Sequence, residues 1–538
     1  MGEGRRCGAG SAGGAALVPD SGSGEMLEDE DLHQTMMMKP KRKGLQLTNL
    51  PKDILCSILS RLPIKEAVRT SILLEHWKHL WRCHSNLEFS LRSMFPGPRT
   101  NGPNDVRPWK DVFIERVDAV LQQHSGAGVD NIQFQAPCDD EHGDRIEGWV
   151  RFATASKTKQ LILDFSATHH IEQHPYKIDL RLLDDSKSSH LQSIKLCSVS
   201  LKVPADFKGF RNLKWIFLAD TNITDGDLHH LVSNCSGILE FLGIAGCGML
   251  RRLHISHLSN KLKHLQVYDC RLLQAMELNF GLVKLEYRGP SVLLSPPGSL
   301  LLADICIKLE GICTNSLEYM FTKLGHNVPR LEILTLRCRE GKMATLRGKL
   351  HEFVHLKHLR LDLTFGCATR TTDILEFACL LVAAPFLEKL EFHMWLRCQH
   401  ERYSVGKGHL RSLPSQPHSQ LRSVDITGFY GEKDQLELAL HILRDSVVLE
   451  SMKIDPGPAA APAGLTRLAR TEAPHFVDGY EVAREFLLSR DRRDVVHVAE
   501  PLACRLRPLM LGARWRIDAA QRASFFAALR RRNAENAG

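Results

Sequence analysis

The stretch LKWIFLADTNITDGDLHHLVSNCSGILEFLGIAGCGMLRRLHISHLSNKLKHLQVYDC, residues 213–270, states one short pattern three times. Leu213-x-x-Ile216-x-Leu218 returns as Leu239-x-x-Leu242-x-Ile244 and again as Leu262-x-x-Leu265-x-Val267. Apolar residues at alternate positions, bounded by turn-forming residues, mark a strand with one buried face. After the first copy, Thr224 and Asp225 open a segment in which Leu228, Leu231 and Val232 are spaced for one side of a helix. A strand followed by a covering return cannot bury its own face, so such units are stable only when stacked on their neighbours.

Outward from this stretch the pattern continues in both directions. Upstream copies stand at Val129-Ile132-Phe134 and Leu191-Ile194-Leu196, with a weaker one at Leu161-Leu163-Phe165. Downstream copies are Leu282-Leu285-Tyr287, Leu331-Leu334-Leu336, Leu356-Leu359-Leu361, Leu387-Leu390-Phe392, Leu421-Val424-Ile426 and Leu449-Met452-Ile454, with a weaker Leu302-Ile305-Ile307. Spacings of roughly twenty to thirty-odd residues resemble those of a leucine-rich repeat. The fold expected is therefore α/β, an irregular leucine-rich-repeat solenoid over 105–455 with parallel strands and helical or loop returns. Helical returns are expected at 225–234, 315–324, 372–383 and 434–443. Cys247 and Cys270 follow their strands at the same offset, which predicts stacked buried thiols that satisfy turn backbone and hold no metal. Gly243, Gly246 and Gly248 are expected in a repeat turn, where they permit positive φ.

Before the repeats lies LTNLPKDILCSILSRLPIKEAVRTSILLEHWKHLW, residues 47–81, which packs three short helix signals together. Pro51 has the φ of a first helical position, and Asp53 complements the helix dipole. Ile54, Leu55, Ile58, Leu59 and Leu62 then form an amphipathic stripe, ended at Leu62-Pro63 because the residue before proline leaves the α region. Ile64, Ala67 and Val68 predict a second helix, and Leu73, Trp77, Leu80 and Trp81 one face of a third. So short a unit cannot bury all this surface alone, and part of it is expected to meet another protein.

These residues resemble the F-box, by which substrate receptors attach to the Skp-type adaptor of cullin-based ubiquitin ligases. Leu50-Pro51, Ile54-Leu55, Ile58-Leu59, Leu62-Pro63, Val68-Arg69-Thr70-Ser71 and Trp77-x-x-Leu80-Trp81 stand as in the plant F-box/leucine-rich-repeat family. Leu74 departs from it where a serine is common, and Glu75-His76 where a basic residue commonly precedes the tryptophan. The resemblance implies a three-helix F-box over 45–90. It also implies adaptor contacts from Leu50, Pro51, Ile54, Leu55, Ile58, Leu59, Leu62, Val68, Trp77 and Leu80. The implied partners are the Skp-type adaptor, through it a cullin, and a protein substrate held by a concave face of the repeats. The chain would perform no chemistry and need no cofactor. A rival reading is a repeat scaffold with a vestigial F-box, separated from the first by co-purification with the adaptor.

Residues 1–44 are rich in Gly, Ala and Ser, then acidic, then basic at KPKRK, residues 39–43, and are expected to be disordered. The basic run is a candidate nuclear signal, and the expected location is the nucleus, the cytoplasm or both. Residues 456–538 read as a linker plus an Arg/Ala-rich segment, with helices at 479–489 and 518–532 and a strand at 495–498. Plant relatives often carry a final helix-and-strand segment after the last repeat, which this part resembles. The balance of 70 basic against 62 acidic residues leaves +8, too mild for a nucleic-acid-binding stripe. Fifteen cysteines without a C-x-x-C pair or an apolar leader suggest reduced intracellular thiols. No apolar run reaches the ~18 residues needed to span a bilayer.

One catalytic motif is present. His351-Glu-Phe-Val-His355 matches H-E-x-x-H, which on a helix sets two zinc ligands one turn apart. It runs straight into the strand pattern at Leu356, so no metal is expected. No phosphate-binding loop or nucleophile elbow occurs.

Overall fold

The computed structural model describes residues 50–501. It leaves out 96–106, 167–174, 184–189, 256–260, 296–301, 310–316, 340–351, 366–371, 397–400, 458–472 and a few shorter stretches. The basic run at 39–43 and the helix expected at 518–532 lie outside the described residues.

Helix α1 (Lys52–Leu59) and helix α2 (Ile64–Thr70) flank Pro63, as the sequence predicts. The third helix is not an α-helix. Two 3₁₀ turns, Glu75–Trp77 and Leu80–Cys83, take its place. Leu73 is exposed while Trp77, Leu80 and Trp81 are buried. The tight turn carries two successive large side chains inward, Leu80 against α1 and Trp81 into the core of the repeats.

The repeats build one parallel sheet of fifteen strands among the described residues, from Asn86–Ser90 to Val496–Val498, each strand pairing with the next in chain order. The apolar positions of the repeated pattern stand in register and in the core: Leu265 pairs between Leu242 and Leu285, and Val267 between Ile244 and Tyr287. Alternation is clearest at His358–Phe365, where Leu359, Leu361, Leu363 and Phe365 are buried and the residues between them are not. The weaker copies are true strands, Gln160–Asp164 and Asp304–Leu309.

Helical returns occur at Arg107–Gln123, Gly143–Ala155, Asp225–Ser233 and Lys433–Asp445, with a 3₁₀ turn at Ile374–Ala378 running into Cys379–Ala383. Thr224 caps its helix as predicted, its hydroxyl accepting the N–H of Asp227 at 3.2 Å. Of the return expected at 315–324, Met320–Leu324 forms a single π-type turn. Other returns are themselves strands: Arg252–His254, Ala275–Glu277 and Leu293–Ser295 form a second parallel sheet, and Tyr176–Ile178 pairs with Val199–Leu201.

Four successive turns of the large sheet reuse one device. Ser198, Asp220, Gly246 and Asp269 adopt left-handed φ, and each N–H reaches a carbonyl of the following strand at 2.6–2.9 Å. The next side chain satisfies the turn: Thr221 donates to the carbonyl of Ala219 at 3.1 Å, Cys247 to that of Ala245 and Cys270 to that of Tyr268, each at 3.5 Å. Both thiols are buried, as the sequence indicates. Gly243 departs from expectation, because it sits within the strand Phe241–Ala245 and not in the turn.

Two boundaries move. The first strand of the sheet, Asn86–Ser90, lies inside the stretch assigned to the F-box, and the sheet passes 455 to take in Val496–Val498. The apolar residues at both ends need cover, and the adjoining segments supply it. One continuous core runs from Ile64, Ala67 and Trp81 through the repeats to Leu487, Val495 and Val496.

Candidate interaction surfaces

Helix α1 divides its apolar residues between two faces. Leu55 and Leu59 are 4% and 2% exposed, while Ile54, Ile58 and Leu62 are 45%, 40% and 37% exposed. Of the ten residues expected to meet an adaptor, Pro51, Ile54, Ile58 and Leu62 are therefore free at the surface, and Leu50 and Val68 are half-buried. Leu55, Leu59, Trp77 and Leu80 are buried within the chain itself. Two further apolar residues of this region, Ile72 and Leu73, are also exposed. Their signal was the run Ile72-Leu-Leu74, more apolar than a turn needs. Burying a side chain of this size contributes about 1.5–3 kcal/mol, so the exposed ridge is a substantial reservoir of binding energy.

Behind it a histidine pair fastens the helices to the first repeats. His84 Nδ1 accepts the N–H of Asn86 at 3.2 Å, which leaves Nε2 to donate to the carbonyl of Leu62 at 2.9 Å. His124 does the same, accepting from Gly126 at 3.0 Å and donating to the carbonyl of His84 at 3.0 Å. Burial pushes both imidazoles below their usual value, and both hold the neutral form.

The alternate residues of the large sheet form a second surface, its open face. Trp215, Phe217, Phe241, His264 and Tyr268 stand half-buried there. Trp215 and Phe241 are register partners, and their rings stack with centroids 4.9 Å apart at 8°, close to the strand spacing itself. Phe241 meets His264 edge-on at 4.9 Å, and Phe217 stacks on Trp215 at 5.8 Å. Gly243 makes room for this group, since a Cβ there would enter the Phe217 ring. The aromatic side chains were absent from the sequence expectation, although Leu-Lys-Trp-Ile-Phe-Leu, residues 213–218, shows large rings at the outward positions of a strand.

Further along, the open face is charged and internally paired. Glu286 accepts from Tyr268 at 2.6 Å, Lys284 at 3.0 Å, Gln266 at 3.1 Å and His264 at 3.1 Å. Glu391 accepts from His358 at 3.0 Å, Arg360 at 3.1 Å, His393 at 3.3 Å and also Lys389. Burial raises both carboxyls, but these hydrogen bonds and charges outweigh it and hold each at about 2. Asp362 is likewise shared by Arg337 and Arg360.

Of the H-E-x-x-H motif only part is described. His351 lies outside the described residues, and Glu352 to His355 pass through a turn with His355 exposed before the strand His358–Phe365. Among the described residues no group of three or more His, Cys, Asp or Glu side chains is placed to hold a metal ion. No described helix is long and apolar enough to cross a membrane.

Residues 120–468 match the family model described as "At1g61320/AtMIF1, LRR domain", which covers most of the sheet. The chain belongs to the plant F-box/leucine-rich-repeat family. Among its relatives in Arabidopsis thaliana is F-box/FBD/LRR-repeat protein At1g13570, 23% identical over 76% of this chain and 90% of the relative. F-box/LRR-repeat protein 13 is 27% identical over 52% of this chain and 60% of the relative. F-box/LRR-repeat protein At3g58940 is 30% identical over 76% of this chain and 65% of the relative. For the last two, the matched part is less than two thirds of the relative's length.

Proposed function

We propose that this F-box/leucine-rich-repeat protein is the non-catalytic substrate-recognition subunit of a Skp–cullin–F-box ubiquitin ligase, working in the nucleus, the cytoplasm or both. The exposed ridge of α1 docks on the Skp-type adaptor and through it a cullin, and the open face of the sheet holds a protein target. The contribution is proximity, which raises the effective concentration of a target lysine near the charged ubiquitin carrier. The observation that carries the reading is the split of α1: one side is locked into the core by Leu55 and Leu59, and the other presents Ile54, Ile58 and Leu62 to solvent. A helix that served only the fold would not keep such a ridge.

The test is co-purification of the tagged full chain with a Skp-type adaptor, compared with a variant carrying Ile54→Asp and Ile58→Asp. Interface anchors cost about 2 kcal/mol or more each when lost, so adaptor recovery is expected to fall at least roughly thirtyfold. Wild-type protein that recovers no adaptor would favour a repeat scaffold with a vestigial F-box.

A further inference from the structure

Two observations on the open face converge. The first is the aromatic group. Trp215, Phe217 and Phe241 keep part of their ring area in water, whereas the carboxylates further along the open face, Glu286, Asp362 and Glu391, are already satisfied by their own cations. Rigid rings of this kind are the anchors that dominate interface energies.

The second is an unanswered charge beside them. Three strands in this region end in a carboxylate at the same rim. Asp164 is bonded to Lys195 at 3.0 Å and Asp269 to Arg288, but among the described residues the carboxylate of Asp220 has neither a hydrogen bond nor an ion pair. It rests over Gly246, where a Cβ would collide with it. Partial burial and the charge of Asp164 push its carboxyl up, an unfavourable state that a cation would relieve. Asp220 directly follows the strand Trp215–Ala219 that carries Trp215 and Phe217, and its carboxylate lies over the residue that directly follows the neighbouring strand, Phe241–Ala245, which carries Phe241. Lys195 already lies 6.0 Å from the centre of the Phe217 ring, so a cation is accommodated against this stack.

We propose, resting on the receptor reading above, that Trp215, Phe217, Phe241 and Asp220 form the substrate-contacting patch, and that its occupant is a protein segment placing an aromatic side chain next to an arginine or lysine. The rings bury the apolar residue, and Asp220 takes the cation.

The experiment uses the full-length chain and four fluorescein-labelled ten-residue peptides that differ only at two adjacent central positions: Phe-Arg, Phe-Glu, Ser-Arg and Ser-Glu. Fluorescence anisotropy is expected to rank Phe-Arg first, ahead of Phe-Glu by about fivefold and of Ser-Arg by about tenfold. Asp220→Asn, which keeps size and shape, is expected to erase the Arg-over-Glu preference while leaving Phe over Ser. Phe241→Ala is expected to erase the latter and leave the former. Equal binding of all four peptides, a preference for Glu, or preferences that survive both substitutions would overturn the proposal. Adaptor co-purification from the same preparations reports on the receptor reading separately, since the patch stands on the fifth and sixth strands of the sheet and includes no residue of α1.

Discussion

The two ends of the repeat sheet are closed in different ways. At the carboxyl end, the helix Ala473–Val482 and the turns after it bring Val482, Ala483 and Leu487 into the core, with Val495 and Val496 following. Gly479 packs so closely on the backbone of Phe429 that a Cβ would strike its carbonyl. Arg493 donates to the carbonyls of Leu443 at 2.7 Å and Ser446 at 2.6 Å, and Asp491 accepts the N–H groups of Val495 and Val496 at 2.8 Å each. Beyond residue 472 no large apolar side chain is exposed among the described residues. At the amino end α2 and Trp81 also close the core, yet Ile54, Ile58, Leu62, Ile72 and Leu73 remain outside. Capping a solenoid requires only the first arrangement. The surplus apolar surface at the amino end is therefore what the proposed docking role accounts for and capping does not.

The most severe way to break this comparison is to remove the closed end. A chain ending at Gly457 loses the strand Val496–Val498 and uncovers Phe429, Tyr430, Met452 and Ile454. The expected cost exceeds about 5 kcal/mol, comparable to the whole margin of many domains, and is read as loss of soluble protein. A chain ending at residue 501 is the control and should melt as the full chain does. Soluble, cooperatively melting protein from the shorter chain would show that 473–498 is not a cap.

At the amino end the inner face of α1 should behave as core. Leu55→Ala is expected to destabilise by about 2–5 kcal/mol, seen as a lower urea midpoint. A change below about 0.5 kcal/mol would mean that Leu55 is not packed as described.

A smaller effect comes from acid. His84 and His124 have folded values pushed below the ordinary 6.5, so the stability they contribute is complete above about 6.5. It is lost as pH falls from there through the folded values, because the unfolded chain binds the protons and the folded chain does not. Thermal melts at pH 7.5 and 5.5 should show the full chain losing stability at the lower pH. With His84→Gln and His124→Gln together, that pH-dependent loss should shrink, and an unchanged loss would remove the pair from the amino-end junction.

The sheet was legible in the sequence because its period-two apolar pattern is the physical demand of a half-buried strand, and even the weak copies at 161–165 and 302–307 proved to be strands. The short return strands were not legible. Arg252–His254 and Ala275–Glu277 each bury one side chain, Leu253 or Met276, and a single residue has no period. The third helix was misread because Trp77, Leu80 and Trp81 have helical spacing, while their burial is decided by what α1 and the first repeat need. The carboxyl boundary was misread for a similar reason: PGPAAAPAG, residues 456–464, breaks the composition, but the chain returns to the same sheet. The ridge on α1 was recognised as a stripe, but periodicity does not say which side of a stripe the rest of the chain covers.

The smallest expected effect is the one that separates docking from capping. Ile54→Asp with Ile58→Asp places two carboxylates on the solvent side of α1, where the residues are already 45% and 40% exposed. Surface changes of this kind usually move stability by no more than about 0.5 kcal/mol, so the urea midpoint should stay near that of the wild type. Aspartate is a weaker helix former than isoleucine, but only by a few tenths of a kcal/mol per residue. A loss of several kcal/mol would mean that the outer face also holds the fold together, and the two ends of the molecule would then differ in degree and not in kind. Retained stability together with lost adaptor recovery would instead confine the effect of these residues to docking, because a merely structural role cannot lower binding while leaving the melt unchanged.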